Sequence, residues 1–394
     1  MAGLFCPCEE DGEIRWWMTT RSSSLDWSVI ETLLPQGWRE LAVDMKLIKP
    51  NLPKHMNAKV TDIAEVLRLI FFRSASNCGL QTVAAAFAAS GLLDISHVGL
   101  HYWEKNLGPY LSTLLGQLVG SSLAQFAPER WAGYEIILTD ATCVQRPGSK
   151  ETTERVHRAL RLPDLRVVGI KVTDVKGGES FRNFSPEERQ IWIGDRGYPN
   201  PPGIAWVKTA KAEVLVRYNR GSLPLYDAKG QQLDVLSKVG KLRKPGCYRE
   251  WQAFVHPAGG ERIAGRLCAF RLPADKAHEA RLRLRREQGA EITEQSLAMA
   301  DFVVVFTTVP VRALTCIQVL ELYRLRWQIE LDFKRDKSTT GLDQLPNRLP
   351  CTIETWIYTK LILHQLLRKL ADSGSAIPPS ALAESIGPRG QDAA

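Results

Sequence analysis

The sequence predicts an α/β fold preceded by an all-α domain, and three observations point to it. Residues 26 to 125 carry the 3.6-residue periodicity of amphipathic helices. From about residue 134 the apolar runs shorten to strand length and are separated by turn residues. After the strand-like "DFVVVFTTVP", helical patterning returns between Tyr323 and Lys337.

Residues 1–25 read as an irregular N-terminal segment, and Met18 offers a second possible start besides Met1. Within 26–125, "SLDWSVIETLL" opens on a serine cap, and "KVTDIAEVLRLIFFR" carries a Thr61 cap with Glu65 in the next turn. "GLQTVAAAFAASGLLDISHVGLHYWEKNL" reads as helix, a turn at Gly91 and a second helix opened by Ser96. Two readings stand for this pair: a helix-turn-helix entering a major groove, or two packed helices of an all-α domain.

Residues 126–220 hold the runs "YEIILTD", "TTERVHRALRL", "LRVVGIKVTDV", "RQIWIGD" and "EVLVRYN", each predicting a strand. His157 in the second run is read as a packed strand histidine, with substrate contact as the alternative. Residues 221–300 form a β-rich, basic stretch with one basic helix, "KAHEARLRLRREQG". Residues 301–345 return to the core with a strand and an amphipathic helix. Residues 346–394 give an apolar helix from about Ile353 to Leu370 and a tail expected to be disordered.

Composition narrows the function classes. No apolar run approaches the roughly 18 to 20 residues of a membrane span. The opening residues are acidic and lack a secretory leader's basic and apolar pattern, so a cytoplasmic protein is expected. Of the eight cysteines only Cys6 and Cys8 are paired in spacing, which argues for reduced thiols over a structural zinc. The net charge is +8, and between Lys238 and Glu287 there are 13 Lys or Arg against 5 Asp or Glu. A basic patch this concentrated suits a polyphosphate partner, because each neutralised phosphate releases counterions.

Three acids stand out. Asp140 follows the apolar run "YEIILT" and Asp195 follows "QIWIG", where a buried strand would fix a carboxylate rigidly. In "YRLRWQIELDFKRDK", Tyr323, Arg326, Glu330 and Lys337 fall at offsets that return to one side of a helix, a stripe about 60° wide. Leu322, Leu325, Ile329 and Phe333 form the adjacent apolar stripe. Three such carboxylates can hold two divalent cations about 3.5 to 4 Å apart, the arrangement for in-line phosphoryl displacement. Magnesium suits oxygen ligands that share the metal with phosphate and water.

These residues resemble a known group. The Tyr323, Arg326, Glu330, Lys337 pattern is similar to the YREK signature of DDE transposases from bacterial insertion sequences. "TDATCV", "GDRGY" and "RWQIELDFKRDKS" resemble the family's three acidic motifs, in the right order, and the likeness covers about residues 60 to 370. The resemblance implies a ribonuclease H-like mixed sheet with flanking helices. It makes the region from 221 to 300 an insertion domain and 26–125 a helical DNA-binding domain. It implies that Asp140, Asp195 and Glu330 are the catalytic, metal-binding triad for two Mg2+ ions, with Mn2+ able to substitute. Tyr323, Arg326, Lys337, Trp327, Arg217, Arg196 and Tyr198 would contact DNA. The implied activity is endonucleolytic cleavage at transposon ends and strand transfer into target DNA by a mobile element's homodimer. Such an enzyme is expected in a bacterial cytoplasm, nucleoid-associated when bound. The alternative is a catalytically silent DNA-binding derivative that inhibits transposition.

Overall fold

The computed structural model describes residues 27–48, 60–120, 131–149, 151–162, 165–289, 292–346 and 349–375. The expectations for residues 1–25 and for the C-terminal tail lie outside these residues. The chain divides into two compact units: residues 1–121, 145–150 and 335–394 in one, and 122–144 and 151–334 in the other.

The first unit is helical, as its periodicity requires. It contains α1 (Trp27–Leu33), α2 (Trp38–Asp44), α3 (Ile63–Ser76), α4 (Leu80–Ala89), α5 (His97–Asn106), α6 (Gly108–Gly120) and the long α13 (Pro350–Ser375). The cap of α3 is Asp62 rather than Thr61: the Asp62 carboxylate accepts the Ala64 amide, and Arg39 pairs with it at 3.2 Å. Ser96 caps α5 as expected, accepting the Gly99 amide at 3.1 Å. Gly91 takes φ +68° in the turn between α4 and α5, a conformation that glycine adopts without strain. The helices close around buried polar ties. Thr355 of α13 donates to the Glu104 carbonyl at 2.7 Å, and the Lys360 ammonium donates to the Ser74 carbonyl at 3.0 Å.

The second unit is built on one sheet of eight strands in the order β3-β2-β1-β4-β5-β8-β7-β6. These are β1 (Glu135–Val144), β2 (Glu154–Leu162), β3 (Arg166–Asp174), β4 (Gln190–Gly194), β5 (Glu213–Arg217), β6 (Tyr248–Val255), β7 (Ile263–Arg271) and β8 (Phe302–Thr307). β1, β4 and β5 run parallel, and the remaining pairings are antiparallel. The first five strands, ordered 3-2-1-4-5, make a ribonuclease H-like core. β4 and β5 are almost continuously buried, as strands covered on both faces must be.

The unit's helices are α7 (Pro201–Thr209), α8 (Val235–Val239), α9 (Ala274–Gln288), α10 (Glu294–Met299), α11 (Cys316–Arg324) and the first part of α12 (Trp327–Thr340). Ile204 and Val207 of α7 join Ile137, Val214, Val216 and Phe306 in one buried cluster. Alternation places these strand residues on a single face of the sheet. Arg158 of β2 and Asp332 of α12, both buried, form an ion pair, and the Arg158 guanidinium lies 4.8 Å from the Phe333 ring centre.

The basic stretch from 221 to 300 contributes β6 and β7, which continue the central sheet through β8. Part of its charge is internal. Arg266 is buried against Glu250 at 2.6 Å, and Arg281 pairs with Asp301. Arg243, Lys244, Arg283, Arg285 and Arg286 remain exposed.

Candidate active site

The parallel pairing of β1 with β4 runs from Glu135 opposite Gln190 to Leu138 opposite Ile193. Continuing that register by two residues brings Asp140 alongside Asp195. The hydroxyl of Thr139 donates to the Ile193 carbonyl at 2.9 Å and fastens the strands immediately before the two acids. Asp140 lies within β1, whose antiparallel pairing with β2 continues to Val144. The parallel partner ends first, which leaves a notch at the carboxyl end of the sheet, the usual position of sites in open α/β folds.

Local hydrogen bonds orient both carboxylates. Asp140 Oδ1 accepts the Ala141 amide at 2.8 Å, and Asp195 Oδ1 accepts the Gly197 amide at 2.8 Å. Burial pushes the Asp140 carboxyl up to about 7, against the Ala141 amide, and the neighbouring charges of Asp195 and Glu179 add to the rise.

Glu330 arrives from α12. The expected continuous helix from Tyr323 to Lys337 is interrupted: α11 ends at Arg324 and α12 starts at Trp327. Three-residue hydrogen bonds span the break, from Arg326 N to Tyr323 O, Gln328 N to Leu325 O and Ile329 N to Arg326 O. Three-residue turns put side chains three apart in line. Tyr323, Arg326 and Glu330 therefore remain neighbours across the break. Arg326 reaches Asp140, with Nη1 3.7 Å from Oδ2, while Nη2 donates to Glu330 Oε1.

Burial raises the Tyr323 phenol, and both Arg217 and its hydrogen-bonded neighbour Arg326 oppose that rise. The apolar stripe does seat the helices, since Leu322, Ile329 and Phe333 are all buried.

The other expected DNA contacts divide by burial. Arg196 is exposed and Trp327 is 47% exposed. Arg217 is largely enclosed: it donates to the Phe302 carbonyl at 3.2 Å, and burial lowers its guanidinium to about 10. With Arg196 and Arg220 it lines a cleft of about 560 Å³.

Tyr198 is fully buried, tilted against Phe181 with ring centres 5.2 Å apart, and tucked beneath Gly194. Its ring belongs to the core, so the expected direct DNA contact is corrected to a supporting role. Lys337 lies seven residues past Glu330 on α12, within the helical unit.

His157 is a packed histidine. Asn183 Nδ2 lies 3.4 Å from Nδ1, and Thr173 Oγ1 lies 2.9 Å from Nε2. Because an amide nitrogen can only donate, Nδ1 accepts and Nε2 carries the proton.

Glu179 was not singled out in the sequence. It stands in the β3 to β4 connection, and its charge raises the Asp140 carboxyl. "GGES" offered no strand end or helical periodicity to mark it. Hard carboxylate oxygens gathered at the end of a buried sheet fit a divalent cation. Burial and the charges of Asp140, Glu179 and Asp195 hold the Tyr198 phenol well above its ordinary range.

Comparison with known proteins agrees with this geometry. A family model described as a transposase DDE domain matches residues 131–366. The chain is 27% identical over 332 residues to the transposase for insertion sequence element IS421 of Escherichia coli, covering 82% of this chain and 88% of that protein. It is 28% identical over 375 residues to the transposase for insertion sequence element IS231F of Bacillus thuringiensis subsp. israelensis, covering 84% and 76%. A fold with two acids at adjacent parallel strands, a third on α12 and a family match across the same span leads to one conclusion: this chain is a DNA transposase of the DDE family.

Proposed function

We propose that the protein is an insertion-sequence transposase of the YREK group that cleaves transposon ends and joins them to target DNA with Mg2+. The observation that carries this reading is Arg326 joining Asp140 to Glu330, with Asp195 in register beside Asp140 at the end of β4. Asp140, Asp195 and Glu330 would hold the cations, with Mn2+ able to replace Mg2+. When bound, a cation pair stabilises both the attacking and the leaving oxygen of an in-line displacement.

The protein's own groups do the rest. Asp140 and Asp195 are fixed by backbone amides, so they need no rearrangement to receive charge. Arg326 neutralises Asp140 and Glu330 in the free protein; on DNA its planar fork would turn to a backbone phosphate, releasing both acids. Arg196, Trp327, Tyr323 and Arg217 would line the path of the strand, and Lys337 of the helical unit would make its own contact with DNA. The exposed His97, Val98, Tyr102 and Lys105 of α5 support a groove-facing role for the α4 and α5 pair. The exposed cations of α9 and the segment before β6 support a further backbone contact from residues 221–300. The active species would be a homodimer on paired inverted-repeat ends, in a bacterial cytoplasm.

The test is incubation of the full chain with Mg2+ and a labelled inverted-repeat end. Nicking followed by joining is expected, and Glu330→Gln should bind the end without cutting it. Binding without cleavage by the wild type would support a silent DNA-binding derivative. Nicking that never leads to joining would support a nuclease.

A further inference from the structure

Two thiols and a carboxylate that the phosphoryl chemistry does not use meet within the second unit. Glu250 of β6 and Cys268 of β7 are directly opposite in the antiparallel ladder, so both side chains leave the sheet on one face. Cys316, the first residue of α11, meets them there. One carboxylate oxygen and the two Sγ atoms all lie within 4.8 Å of one another. Cys268 Sγ is 3.9 Å from Glu250 Oε2.

The frame around them is fixed. Thr315 caps α11: its hydroxyl accepts the Gln318 amide, and the Gln318 side chain accepts the Thr315 amide at 2.8 Å. Buried Arg266, two residues before Cys268 on the same strand, holds Glu250 at 2.6 Å. It also donates to the Val309 carbonyl at 3.1 Å and to the Leu314 carbonyl, both in the connection that leads into α11. Cys268 is 0% exposed and Cys316 is buried, whereas the Glu250 side chain is 34% exposed. The group is closed on the sulfur side, and an ion can reach it past the carboxylate.

The donor set is soft. Thiolate sulfur selects zinc-like cations, whereas magnesium prefers oxygen. Zn–S bonds of about 2.3 Å and Zn–O bonds of about 2.0–2.2 Å place tetrahedral donors roughly 3.5–3.8 Å apart, so modest side-chain rotation closes the observed spread. Charge balances as well. Two neutral thiols and the Glu250–Arg266 pair sum to zero, and exchanging two thiol protons for one Zn2+ leaves that sum unchanged. Binding therefore adds no uncompensated charge to the interior. The contact with Cys268 lowers the Cys316 thiol and raises Cys268, so Cys316 ionises first, at a helix start that favours a thiolate. Close pairing in the sequence gave no sign of this group, because its members come from two strands and a helix.

We propose that Glu250, Cys268 and Cys316 form a binding site for a thiophilic divalent cation, Zn2+ above all, with solvent at the fourth position. Each ion binds as the two thiols release their protons to solvent. The bound ion ties β6 and β7 to α11, the helix that precedes the turn from Tyr323 to Arg326. Its residues and its chemistry are separate from those of the carboxylates read as Mg2+ ligands, so neither reading depends on the other.

The experiment adds Co2+, a spectroscopic stand-in for Zn2+, to the full chain after treatment with a chelator. A thiolate-to-cobalt charge-transfer band should appear at one ion per chain, vanish on adding Zn2+ and persist in excess Mg2+. Cys268→Ser and Cys316→Ser should each abolish it. Glu250→Gln should weaken Co2+ binding by at least about ten-fold, the scale for losing even an outer partner of a metal site. The double variant Cys6→Ser, Cys8→Ser should keep the band. No band in the wild type, an unchanged band in Cys268→Ser or Cys316→Ser, or its loss in the Cys6, Cys8 double variant would overturn the proposal. Alkylation of the wild type in mild urea, mapped by mass spectrometry, needs no substitution. Zn2+ should slow modification of Cys268 and Cys316 several-fold, and equal rates with and without Zn2+ would overturn the site.

Discussion

The Arg326 guanidinium joins Asp140 on β1 to Glu330 on α12, lying 3.7 Å from the first and donating to the second. One cation therefore compensates two acids that come from strands and helix respectively. Removing it has opposite effects on two ligands. Arg326→Ala should bind duplex ends more weakly, with the salt slope reduced by about one phosphate contact. The same variant without DNA should bind Mn2+ several-fold more tightly, because its acids have lost their internal counter-charge. Filter binding across a salt series and Mn2+ titration check the pair. A fall in Mn2+ affinity would contradict the arrangement.

The buried Arg158–Asp332 pair anchors the helix that carries Glu330. Removing one partner of a buried ion pair costs roughly 3–5 kcal/mol. Arg158→Met and Asp332→Leu should each lower the urea midpoint accordingly. The double variant should lose less than the sum, since both charges leave together. Additive losses would show that the two do not act as a pair.

His157 predicts an acid-sensitive loop. Burial, with Arg155 and Lys171 nearby, lowers its imidazole to about 4, below its ordinary value near 6.5. The folded state then binds fewer protons than the unfolded one between these values. Its contribution to stability is complete above about pH 6.5 and is lost as pH falls toward 4, up to about 3 kcal/mol in all. Protonation would set an N–H at Nδ1 against the Asn183 amide and loosen the segment bearing Glu179. His157→Gln should flatten this part of the stability profile, as read by urea unfolding at stepped pH.

Gly194 stands where the strand hands over to Asp195. A β-carbon there would lie 2.5 Å from Tyr198 Cβ and 3.1 Å from Phe181 Cζ. Gly194→Ala should therefore cost about 1–3 kcal/mol through overpacking and reduce end cleavage. Gly116, exposed on α6 with nothing within 4 Å of its would-be β-carbon, is the contrasting position. Gly116→Ala should stabilise the protein by roughly 0.5–1 kcal/mol through helix propensity. Thermal melts of the two variants compare them directly.

The residues alone determined whatever is local. "YEIILT", "QIWIG" and "EVLVR" are strands because their apolar runs are short and buried on both faces, and Ser96 caps a helix because its oxygen is the nearest acceptor. The placement of Asp140, Asp195 and Glu330 in their elements was legible for the same reason: each follows or occupies a patterned element. Tertiary structure decided what depends on neighbours distant in sequence. It interrupted the helix before Trp327 and carried Arg326 to Asp140, with Tyr323 beside both Arg326 and Arg217. It buried Tyr198, ran β6 and β7 into the central sheet, and brought Glu179 beside Gly197. Periodicity reports which side of an element is apolar. Which charges then meet is set by the register between strands and by the loops that return to them.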